Sequence, residues 1–397
     1  MFASIHVWVL RRLSRKTTSG SFIPQLDGLR FIALVMVILV HVNAYLTGKT
    51  TFYAHTAPHR DWLTCTVLAG SHGVELFCAI SGFILALPFA AHRLRGAPAV
   101  NLRSYYLRRL TRLEPPYIVT LCAFALLGWL LHRGAAPRLG VHFLASLFYL
   151  HNLIYAVPST VLTVAWSLEI EVQFYLLVPL LTLLFAIRSP AKRRLSIMGL
   201  ALLVMAAQTK LLHLNPRFAL SIFSYLQFFL VGFLLADICL LEWKTPAQKF
   251  YWDLVAIAGW PVMYLCLQSG LLTQWLFPLL VFLIYCAAFR GRWFPRMLSS
   301  RPITLIGGMC YSIYLIHYEV ISAVGRFTKL IGKGLPDPLY LAVQFAFVGV
   351  AIVFICGLYF LLLERPCMQR DWPQRLWQQA KSLRPSKPVK AEAAFAD

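Results

Sequence analysis

Residues 29–41 read LRFIALVMVILVH, an unbroken apolar run with Arg30 at its mouth and His41 inside it. The apolar stretch is long enough for a membrane helix. Eleven positions make almost three full turns, so the two side chains share one helix face, ~16 Å apart along the axis. An ionisable group at such depth is costly and marks a functional candidate. The plainer reading is a snorkelling Arg at a helix end plus a His bonded to a neighbouring helix. The rest of the chain decides how far the pair points to chemistry.

Of the 397 residues, 59% are hydrophobic and 13% charged, with a mean hydropathy of +0.68. Soluble globular domains do not have this composition. Repeated apolar runs of 17 to 23 residues predict an all-α, polytopic transmembrane helix bundle. Ten spans are expected, at 29–47, 70–90, 115–132, 166–187, 195–213, 219–241, 253–269, 272–289, 303–324 and 339–363. The nine cysteines are scattered without a CxxC pair, which reads as small hydrophobes and excludes a disulfide framework or metal site. The net charge of +22 sits in the loops between spans, which argues against nucleic acid as a partner.

With a cytoplasmic N-terminus, 28 of the 37 Lys and Arg fall in inside segments, and the C-terminus is cytoplasmic too. That bias decides one ambiguous stretch, LGVHFLASLFYLHNLIYAV at 139–157, which carries His142, His151 and Asn152. An eleventh span there would turn every later basic loop outward, so it is expected to be re-entrant or interfacial on the outer side. The N-terminus shows no usable cleavage site. Ile5 to Leu10 reads as a short interfacial helix, with Trp8 in the headgroups and Arg11, Arg12, Arg15 and Lys16 below. The expected organisation is 1–22 interfacial, 23–366 membrane domain and 367–397 basic tail, disordered beyond Trp377. No attached soluble domain is expected within these residues.

The polar residues within the spans converge. His41, Glu75, Glu169, Glu171, His317 and Glu319 all fall just under the outer end of their helices, which suggests a cavity open to the outside. A His flanked by carboxylates is the usual general-base arrangement, and pairing alone would also bring such groups together. At the inner side, SYYLRRLTRLEPPY places Arg109 and Arg112 on one helix face with Arg108 beside them. Arginine suits bidentate phosphate recognition. A lipid-headgroup role is the plainer reading. Glu114-Pro115-Pro116 is expected to end this helix and fix the arginines at the membrane face. An extended pantetheine arm spans roughly the ~16 Å from Arg30 to His41. Acyl-coenzyme A therefore fits, its phosphates on Arg109 and Arg112 and its thioester at His41.

These motifs, in this order, resemble the membrane acyltransferase-3 family, bacterial enzymes that O-acylate sugars, across residues 22 to 366. IPQLDGLRFIALVMVILVH resembles its opening helix, with the Arg-x10-His pair on Arg30 and His41. GVELFCAISGF resembles the second-helix signature, with Glu75 where Asp is common. YLRRLTRLEPPY is similar to the Arg-x-x-Arg element. WSLEIEVQFY looks like the Trp-Ser-Leu block, on Trp166, Ser167, Glu171, Gln173 and Tyr175. YSIYLIH matches the late-helix motif, on Tyr311, Ser312, Tyr314 and His317. Where two adjacent acids are frequent, this chain has Glu171 followed by Val172, and an extra acid at Glu169.

The resemblance implies an acyl-CoA donor, most often acetyl-CoA, with no permanently bound cofactor. It implies an acceptor hydroxyl on a lipid-linked or cell-surface glycan, in the bacterial inner membrane. On that basis Arg30, Arg108, Arg109 and Arg112 hold the donor. His41 takes the acyl group as an acyl-imidazole or acts as general base, and Glu75 or Glu171 orients it. Trp166 stacks on the sugar or sits in the interfacial aromatic belt. Ser167 and Tyr311 are placed with the acceptor. His317 binds acceptor or satisfies a buried partner. The bilayer is a partner, and a homo-oligomer is compatible. The chief rival is a proton-coupled secondary transporter, against which stands the lack of an inverted repeat.

Overall fold

The computed structural model describes residues 22–55, 61–131, 138–243, 248–266, 271–369, 372–375 and 378. The interfacial helix expected in 1–22 and most of the tail lie outside the described residues. The chain is all-helical, with no strand among the described residues. The principal helices are α1 (Pro24–Lys49), α2 (Trp62–Leu68), α3 (Gly73–Arg95), α4 (Leu102–Leu131), α5 (Leu139–Leu147), α6 (His151–Tyr155) and α7 (Trp166–Leu181). They continue with α8 (Pro190–Leu214), α9 (Leu226–Leu241), α10 (Phe250–Cys266), α11 (Leu271–Arg290), α12 (Phe294–Leu298), α13 (Arg301–Gly308), α14 (Cys310–Thr328) and α15 (Asp337–Tyr359).

Most of each of the ten segments read from hydropathy is helical among the described residues, though 219–225 holds only short turns and 303–324 is broken at Met309. By length and composition six stretches are able to cross a membrane: Pro24–Lys49, Trp62–Arg95, Leu102–Leu131, Thr163–Ala186, Pro190–Leu211 and Asp337–Cys367. Their outer faces carry exposed Leu, Val and Phe, such as Leu130, Leu203, Val350 and Phe354, as a lipid-facing surface requires. The protein is a multi-pass helical membrane protein. Residues 139–157 form two short helices of nine and five residues, far below the ~20 needed to span. Between them the chain turns at Tyr149, whose φ is +57°.

The expected helix end at Glu114-Pro115-Pro116 does not occur, and α4 runs through both prolines for 30 residues. Pro115 has no N–H for the carbonyl of Thr111. The indole Nε1 of Trp372 donates to that carbonyl instead, at 2.9 Å. Tyr359 Oη and Thr120 Oγ1 both donate to the Pro116 carbonyl, at 2.7 and 2.9 Å. The Trp372 side chain thus satisfies the carbonyl that Pro115 leaves bare, and Tyr359 adds a further tie to the same turn.

Two apolar cores meet along α1. Leu26, Leu29 and Ala33 pack with α3, α9 and α11, where Phe83, Phe229 and Tyr285 are fully buried. Leu34, Ile38, Val42 and Leu46 pack with α14 and α15. The face carrying Arg30 and His41 therefore passes from one core to the other. In the first core, α3 and α9 cross with Gly82 against the Phe229 backbone and Gly232 against the backbone of Ala79 and Phe83. A Cβ at either place would overlap main chain, so glycine sets the closeness of this crossing.

Candidate active site

The packing of α14 against α1 brings His317 to His41. Nδ1 of His41 lies 2.9 Å from Nε2 of His317, and the ring centroids are 5.0 Å apart. Nδ1 of His317 faces two backbone carbonyls, Ile313 at 3.0 Å and Tyr314 at 2.9 Å. Carbonyls only accept, so His317 Nδ1 carries a proton. A neutral His317 then has a bare lone pair at Nε2, and the His41 Nδ1–H donates to it. The proton assignment follows from the partners. It leaves the lone pair of His41 at Nε2, the nitrogen needed by a base or nucleophile. Tyr318 meets the His41 ring edge-on at 5.5 Å. His317 is 1% exposed and His41 half-buried.

One turn before His317, Tyr314 fastens the start of α7. Its hydroxyl donates to the Val164 carbonyl and accepts from the Leu168 N–H and Ser167 Oγ, each at 3.1 Å. The Leu168 amide is one of the orphan donors at a helix start, here satisfied by another helix. Trp166 is half-buried, its ring 5.9 Å from Tyr225, and its carbonyl accepts from Asn152 Nδ2 at 2.8 Å. Tyr311 donates to the Leu113 carbonyl at 2.8 Å. The Trp-Ser-Leu block and the late-helix motif are thus one structural unit around the histidines.

The carboxylates have other partners. Glu75 pairs with His72 at 2.9 Å, leaving its second oxygen buried and without a hydrogen bond. Glu171 accepts from Ser81 Oγ at 2.6 Å and from the Tyr175 hydroxyl. Neither is bonded to His41, whose Nδ1 is directed at His317; α1 and α14 alone supply that contact. The extra acid, Glu169, is fully buried and accepts from the Asn152 N–H at 2.8 Å. It holds the start of α6, and so the 139–157 segment, onto α7. That segment contains a second histidine pair, His142 Nδ1 to His151 Nε2 at 2.9 Å, with His151 Nδ1 donating to the Val157 carbonyl at 3.0 Å. Burial pushes the His151 pKa down, which keeps that ring neutral.

Toward the basic end, Arg30 pairs with Asp27 one turn earlier and lies near enough to Glu171 to feel its charge. Asp27 stands three residues before Arg30, a helical pairing that the spacing in QLDGLR could have revealed. Arg109 lies over the Tyr105 ring at 4.8 Å and near the Tyr175 ring at 5.9 Å. Tyr175 in turn bonds Glu171, so a polar seam runs from Arg109 to the Arg30 level. Arg112 is 3.9 Å from Glu364. Glu364, fully buried, accepts from the Ser312 N–H and hydroxyl at 3.0 and 2.6 Å. It is brought inward by a π turn at Phe360–Glu364 that continues α15. Arg108 also has a partner within the protein.

The acyltransferase-3 family, described as an acyltransferase domain, matches residues 23–361. O-acetyltransferase OatA of Staphylococcus aureus (strain NCTC 8325 / PS 47) is 26% identical over 342 residues, 79% of this chain and 53% of the relative. The putative O-acetyltransferase SACOL0978 of Staphylococcus aureus (strain COL) is 27% identical over 334 residues, 76% of this chain and 51% of the relative. The chain spans about half the length of these curated relatives. No solved structure matches it.

Proposed function

The chain belongs to the acyltransferase-3 family, and on that premise we propose that it is an O-acyltransferase. It moves an acyl group, acetyl by the names of the relatives, from acyl-CoA at the basic face to a sugar hydroxyl of a lipid-linked or cell-surface glycan at the other. The basic face is cytoplasmic, as are both termini, and the ten helical segments all span a bacterial inner membrane. Support for the orientation is the charge bias; support for acetyl is that the relatives are named O-acetyltransferases.

The observation that carries the chemistry is the free Nε2 of His41, oriented by His317 and set on the same helix as Arg30. Arg109 and Arg112, with Arg108, hold the CoA phosphates, and Arg30 neutralises the arm. In a ternary complex, His41 Nε2 takes the acceptor hydroxyl proton while that oxygen attacks the thioester carbon. The C–S bond breaks, and the CoA sulfur leaves with the proton returned by His41. In a relay, Nε2 itself attacks the thioester carbon, the C–S bond breaks and CoA leaves as the thiolate; the acyl-imidazolium then passes the acyl group to the sugar oxygen, whose proton the thiolate takes up. In both, His317 accepts the Nδ1 proton's hydrogen bond and holds the ring. Trp166 stacks on the sugar.

Equilibrium binding of acetyl-CoA to the purified protein, wild type beside Arg109→Ala/Arg112→Ala, tests the donor side without the acceptor. Binding lost in the double variant supports the reading. No binding by folded wild type overturns it and favours transport instead. An acyl-His trapped by mass spectrometry distinguishes the relay.

A further inference from the structure

A cluster of arginines that includes none of those on α4 gathers at the start of α8. A cavity of about 480 Å³ opens between the end of α3, the turn leading from α7 into α8, the first turn of α8 and the end of α9. Arg93, Arg188 and Arg193 line it, with Phe185, Pro190 and Leu241 as apolar wall. Arg193 is 1% exposed. Its Nε pairs with Asp237 and its Nη1 donates to the Ile187 carbonyl at 2.6 Å. Its Nη2 is buried with no hydrogen-bond partner among the described residues.

Asp237 cannot neutralise the site, because its other oxygen accepts from Arg194 at 2.7 Å. Arg93 and Arg188, both exposed, make no ion pair or hydrogen bond among the described residues. A buried guanidinium with an idle donor is costly unless an acceptor arrives. Its planar fork suits phosphate oxygens, and the start of α8 adds the positive end of a helix. The apolar wall gives room for an organic substituent, which favours a phosphate ester over a bare ion.

From these features we infer that this cavity binds a phosphate ester, held by Arg193 at the floor and by Arg93 and Arg188 at the rim. The ester comes either from an anionic lipid headgroup or from a soluble nucleotide. The site stands apart from the proposed donor arginines and does not rest on the acyltransferase reading.

The test uses the full chain in phosphatidylcholine nanodiscs, with melting temperature as readout. One arm adds phosphatidylglycerol to the bilayer; the other adds uridine 5′-monophosphate, which is no part of coenzyme A, to the buffer. Stabilisation by the first alone assigns the lipid source, and by the second alone the nucleotide source. In the exposed-rim variant Arg93→Gln/Arg188→Gln, the effective ligand should bind at least tenfold more weakly, while Arg109→Ala/Arg112→Ala should leave its binding unchanged. A second reading needs no arginine substitution: maleimide labelling at Ala186→Cys, on the cavity wall, should slow when ligand is present. The inference is overturned if neither ligand stabilises the protein and labelling is unaltered, or if the rim variant binds as well as wild type.

Discussion

Removing His317 should slow acyl transfer only through His41. In His317→Ala the Nδ1–H of His41 loses an acceptor now 2.9 Å away. Leaving a buried donor unsatisfied costs about 1–3 kcal/mol. If that cost falls wholly on the transition state, the rate drops roughly 5- to 150-fold. His41→Ala removes the base itself, worth about 10²- to 10⁴-fold. Because His317 acts through His41, the double variant should be no slower than His41→Ala alone. The assay is transfer from radiolabelled acetyl-CoA to endogenous glycan in membrane vesicles, with kcat and the donor KM read separately. The donor KM should hold, since neither histidine is among the proposed phosphate ligands. Multiplying losses in the double variant, or a His317→Ala enzyme that is fully active or impaired only in donor KM, would refute the positioning role.

Glu169→Ala should lower thermal stability by about 1–3 kcal/mol, since it strips the acceptor from the Asn152 N–H, and limited proteolysis should newly cut within 148–157. Gly82→Leu should abolish a monodisperse elution profile, because its side chain meets the Phe229 backbone, whereas Gly128→Leu, with open space around it, should not. Asp61 caps α2, and its hydrogen bonds from Thr64 hold its pKa down to about 2. A depressed carboxylate stabilises above its unfolded pKa of about 4 and loses that contribution as pH falls through about 2. Exchange of amides 62–68, corrected for intrinsic rate, should therefore be flat from pH 8 to 5 and rise below pH 4.

Hydropathy and loop charge were enough to locate the helical segments and to keep 139–157 from being counted as a span, because both depend on length and composition. What they could not register was a partner far along the chain. The helix break expected at Glu114-Pro115-Pro116 rests on a local rule that holds when the freed carbonyls face nothing. Here Trp372 supplies a donor to the freed Thr111 carbonyl from more than 240 residues away. Glu364 was hidden for a related reason. A regular helix counted forward from 339 places it past the membrane, whereas the π turn shifts its direction and buries it beside Ser312.

The site was legible as a set of residues and not as a set of bonds. Sequence depth correctly grouped His41 with His317, yet depth is blind to the rotation of α14, which decides which side chain faces Nδ1. A carboxylate was the natural expectation for that place, and a neutral imidazole stands there instead. The difference has a chemical consequence. A carboxylate orienter would add a buried negative charge and stabilise a cationic ring. Proton abstraction and attack on the thioester both place positive charge on the His41 ring, so a neutral orienter holds the tautomer for either route without stabilising that charge.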